Sequence, residues 1–308
     1  GPVGGILRRV IERATLLVNP FASGVTEKSL AAVELELGRR VELSVSLTQE
    51  RGHATELARS VRDVDALLIY GGDGLLNEVL NGSDGRLPVG VLPGGRTNVF
   101  ARAIGVPRDP VEAARRVLDA RAQRISLGRA NGRRFSFAGG IGFDAELVRR
   151  IDALGRRGDG RRPGDLRFTW EAARLLGGRR GRYEPALEIE GFGRAALVFV
   201  ANGDPYSYVG ARPLRVAPEA RFELGLDLVA PTRLSPGSIP RFLAYAARGR
   251  GQAGAEDILY GHDLDRIAVR ADRPLPLQVD GEDLGDVAEA VFEAERDAVS
   301  VLFPRQPS

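Results

Sequence analysis

Apolar positions fall into two different rhythms along the chain. In the first third, short apolar runs alternate with longer segments that carry helical spacing. Strand-like runs cover Thr15–Asn19, Val41–Thr48, Ala66–Tyr70 and Val89–Leu92, and helix-like segments lie near Glu27–Arg39, His53–Val61, Leu75–Leu80, Thr97–Ile104 and Pro110–Arg121. Runs of this length, closed by glycine, predict buried strands of a parallel sheet with helical crossovers. Asp109-Pro110 predicts a helix start, with a capping carboxylate followed by proline at the first helical position. After Ala122 strand signals dominate: Arg124–Leu127, Phe135–Ala138, Ala186–Ile189, Ala196–Ala201, Leu226–Val229, Asp265–Val269, Leu275–Val279, Ala290–Glu293 and Val299–Phe303. Helical insertions are expected near Phe143–Leu154, Leu166–Leu176 and Ile239–Arg248, and a loop over Gly155–Gly164. The prediction is an α/β domain with a parallel sheet over residues 6–123, then a mainly antiparallel β-sandwich domain over 124–301.

Three of the early strands end in small and polar residues. Ala66–Tyr70 runs into Gly71-Gly72-Asp73-Gly74 and at once into a helical segment. A glycine turn between strand and helix brings backbone N–H groups close to a ligand, and a helix N-terminus favours phosphate. A carboxylate inside such a turn needs a cation or proton between itself and the phosphates, so Asp73 is a candidate for magnesium organisation. The alternative is a plain strand-to-helix turn with Asp73 as its cap. Asn19-Pro20-Phe21-Ala22-Ser23-Gly24 and Pro93-Gly94-Gly95-Arg96-Thr97-Asn98 close the other two strands. Ligands of open parallel sheets bind beyond the carboxyl ends of the strands, so the three turns together imply one crevice. The pattern is neither a dinucleotide fingerprint nor a Walker A loop, and the only lysine is Lys28. A cation acting on phosphate must therefore be an arginine or a metal.

NPFASG, GGDGLLNEVLNG and LPGGRTNVFARAIGVP, in this order and spacing, resemble the diacylglycerol kinase catalytic domain superfamily, which includes bacterial soluble lipid kinases and sphingosine kinases. SLGRANGRRFSFAGGIGFDAELV and LQVDGEDLG extend the resemblance over most of the chain. It implies a first domain of the phosphofructokinase and NAD kinase type, completed by the last residues, about 302–308. It implies ATP and Mg2+ as cofactors and a membrane lipid as acceptor. Nucleotide contacts are implied at Asn19, Thr48, Gly71, Gly72, Asp73, Gly74, Leu75, Asn77, Glu78, Gly95, Arg96, Thr97 and Asn98. Glu282, in Val279-Asp280-Gly281-Glu282, takes the place of the catalytic base; from the residues alone, Asp-Gly is an ordinary hairpin turn. Asp227 falls near a segment linked with metal binding in bacterial members. Thr48 and His53 also read as helix caps. The chain departs from the family at Leu75, Arg96, Val99 and Ser126, the last two where acids build a magnesium network. Arg96 offers a permanent cation in exchange.

Composition narrows the remaining choices. A chain of 308 residues, 43% hydrophobic and 28% charged, supports two globular domains. It has no cysteine and two histidines, which excludes disulfides and thiolate metal sites. No run reaches transmembrane length and the first residues hold no apolar signal core, so a cytoplasmic protein is expected. Arg149–Arg182 holds eleven arginines against four acids, a net +7 on a chain whose balance is +3. That block suggests transient contact with an anionic membrane surface, or a solvated basic face. No nucleic-acid partner is expected, and a homodimer is compatible with the sequence. The leading expectation is an ATP-dependent lipid kinase acting on a diacylglycerol-like or sphingoid-like hydroxyl. The alternatives are a kinase of a soluble acceptor, such as an NAD kinase, and a non-catalytic lipid-binding protein of the same fold.

Overall fold

A computed structural model describes residues 11–142, 145–150 and 183–305. Its contacts divide the chain into two units: 1–96 with 104–123 and 299–308, and 97–103 with 124–298. The expected helix over Leu166–Leu176, the loop over Gly155–Gly164 and most of the Arg149–Arg182 block lie outside the described residues.

The first unit is a parallel sheet. Its strands are β1 (Arg13–Val18), β2 (Glu42–Leu47), β3 (Ala66–Gly71) and β4 (Val89–Pro93). β1 lies between β2 and β3, and β3 between β1 and β4, all parallel. β3 and β4 are buried along their whole length, as apolar runs without alternation require. β2 alternates more and is flanked only by β1, so Val45 and Leu47 stay exposed. Helices α1 (Glu27–Gly38), α2 (His53–Ser60), α3 (Asp73–Gly82) and α5 (Pro110–Val117) join and cover the strands. Two start as their sequences dictate. Thr26 and Ser29 form a reciprocal capping box on α1, and Asp109 accepts from the Glu112 amide with Pro110 at the first helical positions of α5.

The short helix α4 (Val99–Ala103) departs from the expected division. It sits early in the sequence, yet its contacts assign it to the second unit. Phe100 is fully buried edge-on against Phe222, with ring centroids 5.1 Å apart. Arg102 lies 3.4 Å over the Tyr208 ring. Those partners stand more than a hundred positions downstream, out of reach of a local pattern.

The second unit is antiparallel. β7 (Ala138–Ile141), β10 (Val198–Ala201), β13 (Leu226–Pro231) and β14 (Ile258–Leu264) run side by side in the order β14-β13-β10-β7. β15 (Arg266–Val279) pairs with β7 through Leu277–Val279 and with β8 (Leu187–Ile189) through Val269–Ala271. β9 (Gly193–Ala195) continues from β8. β16 (Glu282–Phe303) pairs with β15 and with β5 (Arg121–Ala130), which carries β6 (Arg133–Phe135). One apolar cluster takes Val198, Val200, Leu226 and Leu228 from the first group of strands and Leu187, Ile189, Ala130 and Phe135 from the second. The two leaves therefore share one core, the sandwich that the strand signals predict. Asp265–Val269 and Leu275–Val279, separate in the sequence pattern, are one strand, and so are Ala290–Glu293 and Val299–Phe303. Register shifts between Arg270 and Leu275 break the alternation without ending the strand. A small hairpin of β11 (Ser207–Val209) and β12 (Arg212–Leu214), and helix α6 (Ile239–Arg248), complete the unit. No helix of the described residues is long and apolar enough to cross a membrane.

Candidate functional site

In the first unit, the turns after β1, β3 and β4 are bonded to one another. The Gly24 amide donates to the Gly94 carbonyl at 2.8 Å, and the Gly94 and Gly95 amides donate to the Gly71 carbonyl at 2.7 and 3.2 Å. Glycine is required by contact. A Cβ at Gly94 would stand 3.0 Å from the Gly71 Cα and 2.7 Å from a Val25 methyl, and one at Gly24 would stand 2.9 Å from the Gly94 carbonyl oxygen. The three turns thus form one backbone-lined surface at the carboxyl ends of parallel strands.

Helix α3 starts on that surface. Gly72 is its N-cap, without a side-chain cap bond, and Asp73 is the first helical residue. Asp73 is not the cap that the plainer reading expected; it brings an acid into the first turn. That turn leaves N–H groups without intrahelical acceptors, and Gly74 is exposed within it. Arg96 is exposed. Asn19 ends β1, and its Oδ1 accepts from the Phe21 amide at 3.0 Å, so it shapes the turn. Tyr70, a residue the sequence reading passed over as core, is fully buried, and its hydroxyl donates to the Gly24 carbonyl (3.2 Å) or to Ser29 Oγ (2.9 Å). Burial raises its pKa, which keeps the phenol a neutral donor. It fixes the β1 turn from below.

Other expected nucleotide residues do structural work. The Leu75 side chain is buried against Gly71, and its amide donates to the Gly72 carbonyl. Asn77 is fully buried, with Asn81 Nδ2 donating to its carbonyl and Oδ1. One Glu78 carboxylate oxygen accepts from the Ala54 amide at 3.2 Å, the open end of α2. Thr48 is buried at the end of β2, its amide on the Val18 carbonyl. His53 Nδ1 accepts from the Gln49 amide at 3.1 Å, ahead of the helix; the N-cap of α2 is Gly52, without a side-chain cap bond, so neither His53 nor Thr48 is the cap. Thr97 and Asn98 are half-buried, Asn98 with φ +49, and group with the second unit.

In the second unit, Asp280 and Gly281 form the two-residue turn between β15 and β16, with φ +47 and +76 and Val279 opposite Glu282. This is the hairpin the residues suggest, yet Asp280 is not an exposed turn residue. It is buried, and its carboxylate accepts from the Ser136 amide (2.6 Å) and hydroxyl (2.9 Å) and from the Phe137 and Ala138 amides (3.0 and 3.2 Å). Four donors satisfy a buried charge that would otherwise be costly. Glu282, two residues on, is 7% exposed and ion-paired with Arg133 at 3.1 Å. Neither the Asp280 cradle nor Arg133 has a local sequence signal, because the donors lie about 140 positions away. Arg149, which opens the basic block, chelates Asp283 at 2.9 and 3.0 Å and reaches Asp286 at 2.6 Å. Arg150 pairs with Glu146. These two arginines are committed to protein acids.

Asp227, the candidate metal ligand, is fully buried on β13. Both its oxygens lie 2.9 and 3.0 Å from His262 Nδ1, and one accepts from the Asp263 amide. Burial pushes the carboxyl pKa up, and the His262 contact pulls it back down; the same contact raises that of His262. Among the described residues, no three His, Asp or Glu side chains stand together as a metal cluster. At the departures from the family, Val99 is core and Ser126 is buried with its hydroxyl unpartnered.

Residues 13–130 match the model of the diacylglycerol kinase catalytic domain. Over nearly the whole length the chain is similar to a diacylglycerol kinase of Bacillus subtilis, 29% identical across 96% of this chain and 98% of that one. It is also similar to a probable lipid kinase of Pseudomonas fluorescens, at 28% identity over 95% of this chain and 96% of that one. The solved structure of a Bacillus anthracis diacylglycerol kinase has the same fold, with TM-score 0.71 at 22% identity over 95% of this chain and 97% of that one.

Proposed function

We propose that the protein is an ATP-dependent lipid kinase, moving the γ-phosphate to a hydroxyl of a diacylglycerol-like or sphingoid-like lipid. The observation that carries this is the bonded set of turns at Gly24, Gly71 and Gly94, beside the first turn of α3. Backbone amides and a helix N-terminus suit polyphosphate, and Arg96 adds a fixed positive charge. Magnesium fits this donor set as a shared ion. It needs only one or two protein carboxylates when phosphates and water complete its shell, and Asp73 supplies one. Bound there, it would neutralise charge on the phosphates.

Glu282 accepts the proton of the lipid hydroxyl. The hydroxyl oxygen then bonds to the γ-phosphorus while the bond from that phosphorus to the bridging oxygen breaks, leaving ADP. Arg133 holds the Glu282 carboxylate in orientation, and the Asp280 cradle holds the turn from which it projects.

Transfer of radiolabelled phosphate from ATP to an extracted lipid mixture tests the reading. Wild type should label one lipid class, and Asp73→Asn should label none while keeping its fold. Labelling of NAD in preference to every lipid would replace the lipid acceptor with a soluble one. ATP binding without any labelled product would leave a binding protein.

A further inference from the structure

Helix α6 is apolar on both sides. Its inner face, Ile239, Phe242 and Tyr245, packs onto two buried clusters of the second unit. Its outer face presents Pro240, Leu243 and Ala247 to solvent, with Leu243 61% exposed. An exposed apolar strip on a helix whose other face is already packed marks a contact surface. The neighbouring hairpin carries a second exposed apolar residue. α6 packs on β12, the Arg215 amide donates to the Ala246 carbonyl at 2.7 Å, and Val209, 43% exposed, stands opposite Arg212 in the β11–β12 register. Leu243 and Val209 are the two exposed large hydrophobic residues of this unit among the described residues.

The charges around this patch have one sign. Residues 205–218 and 233–255 contain six arginines and no acid. Arg215 pairs with Asp204, Arg241 with Asp257 and Arg233 with Glu184. Arg212, Arg248 and Arg250 are exposed and have no ion-pair partner among the described residues. A protein partner would have to bring acids to the rim of an apolar patch that offers one leucine and one valine. An anionic bilayer offers both requirements at once: phosphate charge at the surface and acyl chains just beneath it. Shallow insertion of one or two apolar side chains with basic neighbours gives reversible binding.

We propose that the outer face of α6, with the tip of the β11–β12 hairpin, docks the protein on an anionic lipid surface. Leu243 and Val209 enter the interface, and Arg212, Arg248 and Arg250 meet lipid phosphates. This deepens the lipid-acceptor reading and rests on it. It also puts the contact on residues other than the Arg149–Arg182 block.

Sedimentation with phosphatidylcholine–phosphatidylglycerol vesicles, without nucleotide, tests it. Leu243→Asp should weaken binding about tenfold, and Arg212→Ser with Arg248→Ser and Arg250→Ser about a hundredfold. Added salt should weaken the wild type, and pure phosphatidylcholine vesicles should bind it poorly. These positions are exposed, so circular dichroism and melting should match wild type. Unchanged vesicle binding in both variants overturns the proposal. So does concentration-dependent self-association that Leu243→Asp abolishes without effect on vesicle binding, which would make the face a contact between copies. Phosphate transfer to a short-chain, monomeric diacylglycerol separates the two readings. If both variants keep it while losing vesicle binding, α6 is a docking element. If wild type transfers phosphate neither to it nor to a short-chain sphingoid base, the lipid-kinase reading fails, and the vesicle result is read independently.

Discussion

Gly94 takes a hydrogen bond from the amide of Gly24 and gives one to the carbonyl of Gly71, so one glycine ties the turns of three strands together. Its backbone does this only because no side chain intervenes. Gly94→Ala should place a methyl against Gly71 backbone and Val25 and push the turns apart. The expected cost is about 2 kcal/mol in urea unfolding, with nucleotide affinity falling at least as steeply. Binding of a fluorescent ATP analogue, unchanged in a destabilised variant, would show that the shared surface is not the nucleotide site.

Glu282→Gln should keep nucleotide affinity and lose transfer, by roughly a hundred- to ten-thousandfold in single-turnover rate. The substitution keeps the shape of a buried side chain and one acceptor for Arg133. If affinity for ATP collapses while transfer persists, Glu282 is a nucleotide ligand.

Asp280→Asn separates position from chemistry. Asparagine tolerates the left-handed backbone at φ +47, so the turn itself survives. The carboxylate loses an oxygen, and an amide NH2 is set against donors from Ser136, Phe137 or Ala138. A loss of about 2–3 kcal/mol is expected. The rate should fall as well, since Glu282 follows directly on this turn, and a variant destabilised but fully active would show that the cradle serves folding alone.

The Asp227–His262 pair makes stability depend on pH. The His262 pKa is raised in the folded state, chiefly by its bond with Asp227, so its contribution is fully present below the unfolded value of about 6.5 and fades as pH rises through the folded value. Asp227, raised by burial, acts in the same direction, because its charged form is the costly one. His262→Ala should remove the histidine's share of the pH dependence and leave the buried Asp227 carboxylate without its imidazole partner. The cost should be about 2 kcal/mol near pH 6, less than for an enclosed pair because His262 is partly exposed. Urea midpoints for both proteins from pH 5 to pH 9 give the comparison; parallel curves would mean the pair does not titrate with folding.

The first unit was legible where its physics is local. Buried parallel strands need continuous apolar runs, and turns packed backbone against backbone need glycine; both are written in consecutive residues around Leu67, Gly71 and Gly94. The second unit was legible in outline only. β9, β11, β12 and β14 are short or mixed in pattern and owe their existence to neighbours. The allegiance of Phe100 to Phe222, the donors around Asp280 and the pairing of Glu282 with Arg133 all join residues far apart in the chain. Asn77 and Glu78 show the opposite limit. Their place in a motif suggested ligand contact, and helical geometry turned them to the core and to the end of α2.

Strand β16 begins at Glu282 beside β15 and ends with Val301 paired in parallel to Val89 on β4. During synthesis, β1 to β4 leave the ribosome long before that closing strand exists. Until residues 299–303 emerge, β4 has an open edge of unpaired backbone groups, the kind of edge that recruits other chains. The first unit therefore begins first and is finished last. A fragment ending at Gln123 should aggregate where the whole chain does not, and covalently supplying residues 299–303 after it should restore its solubility.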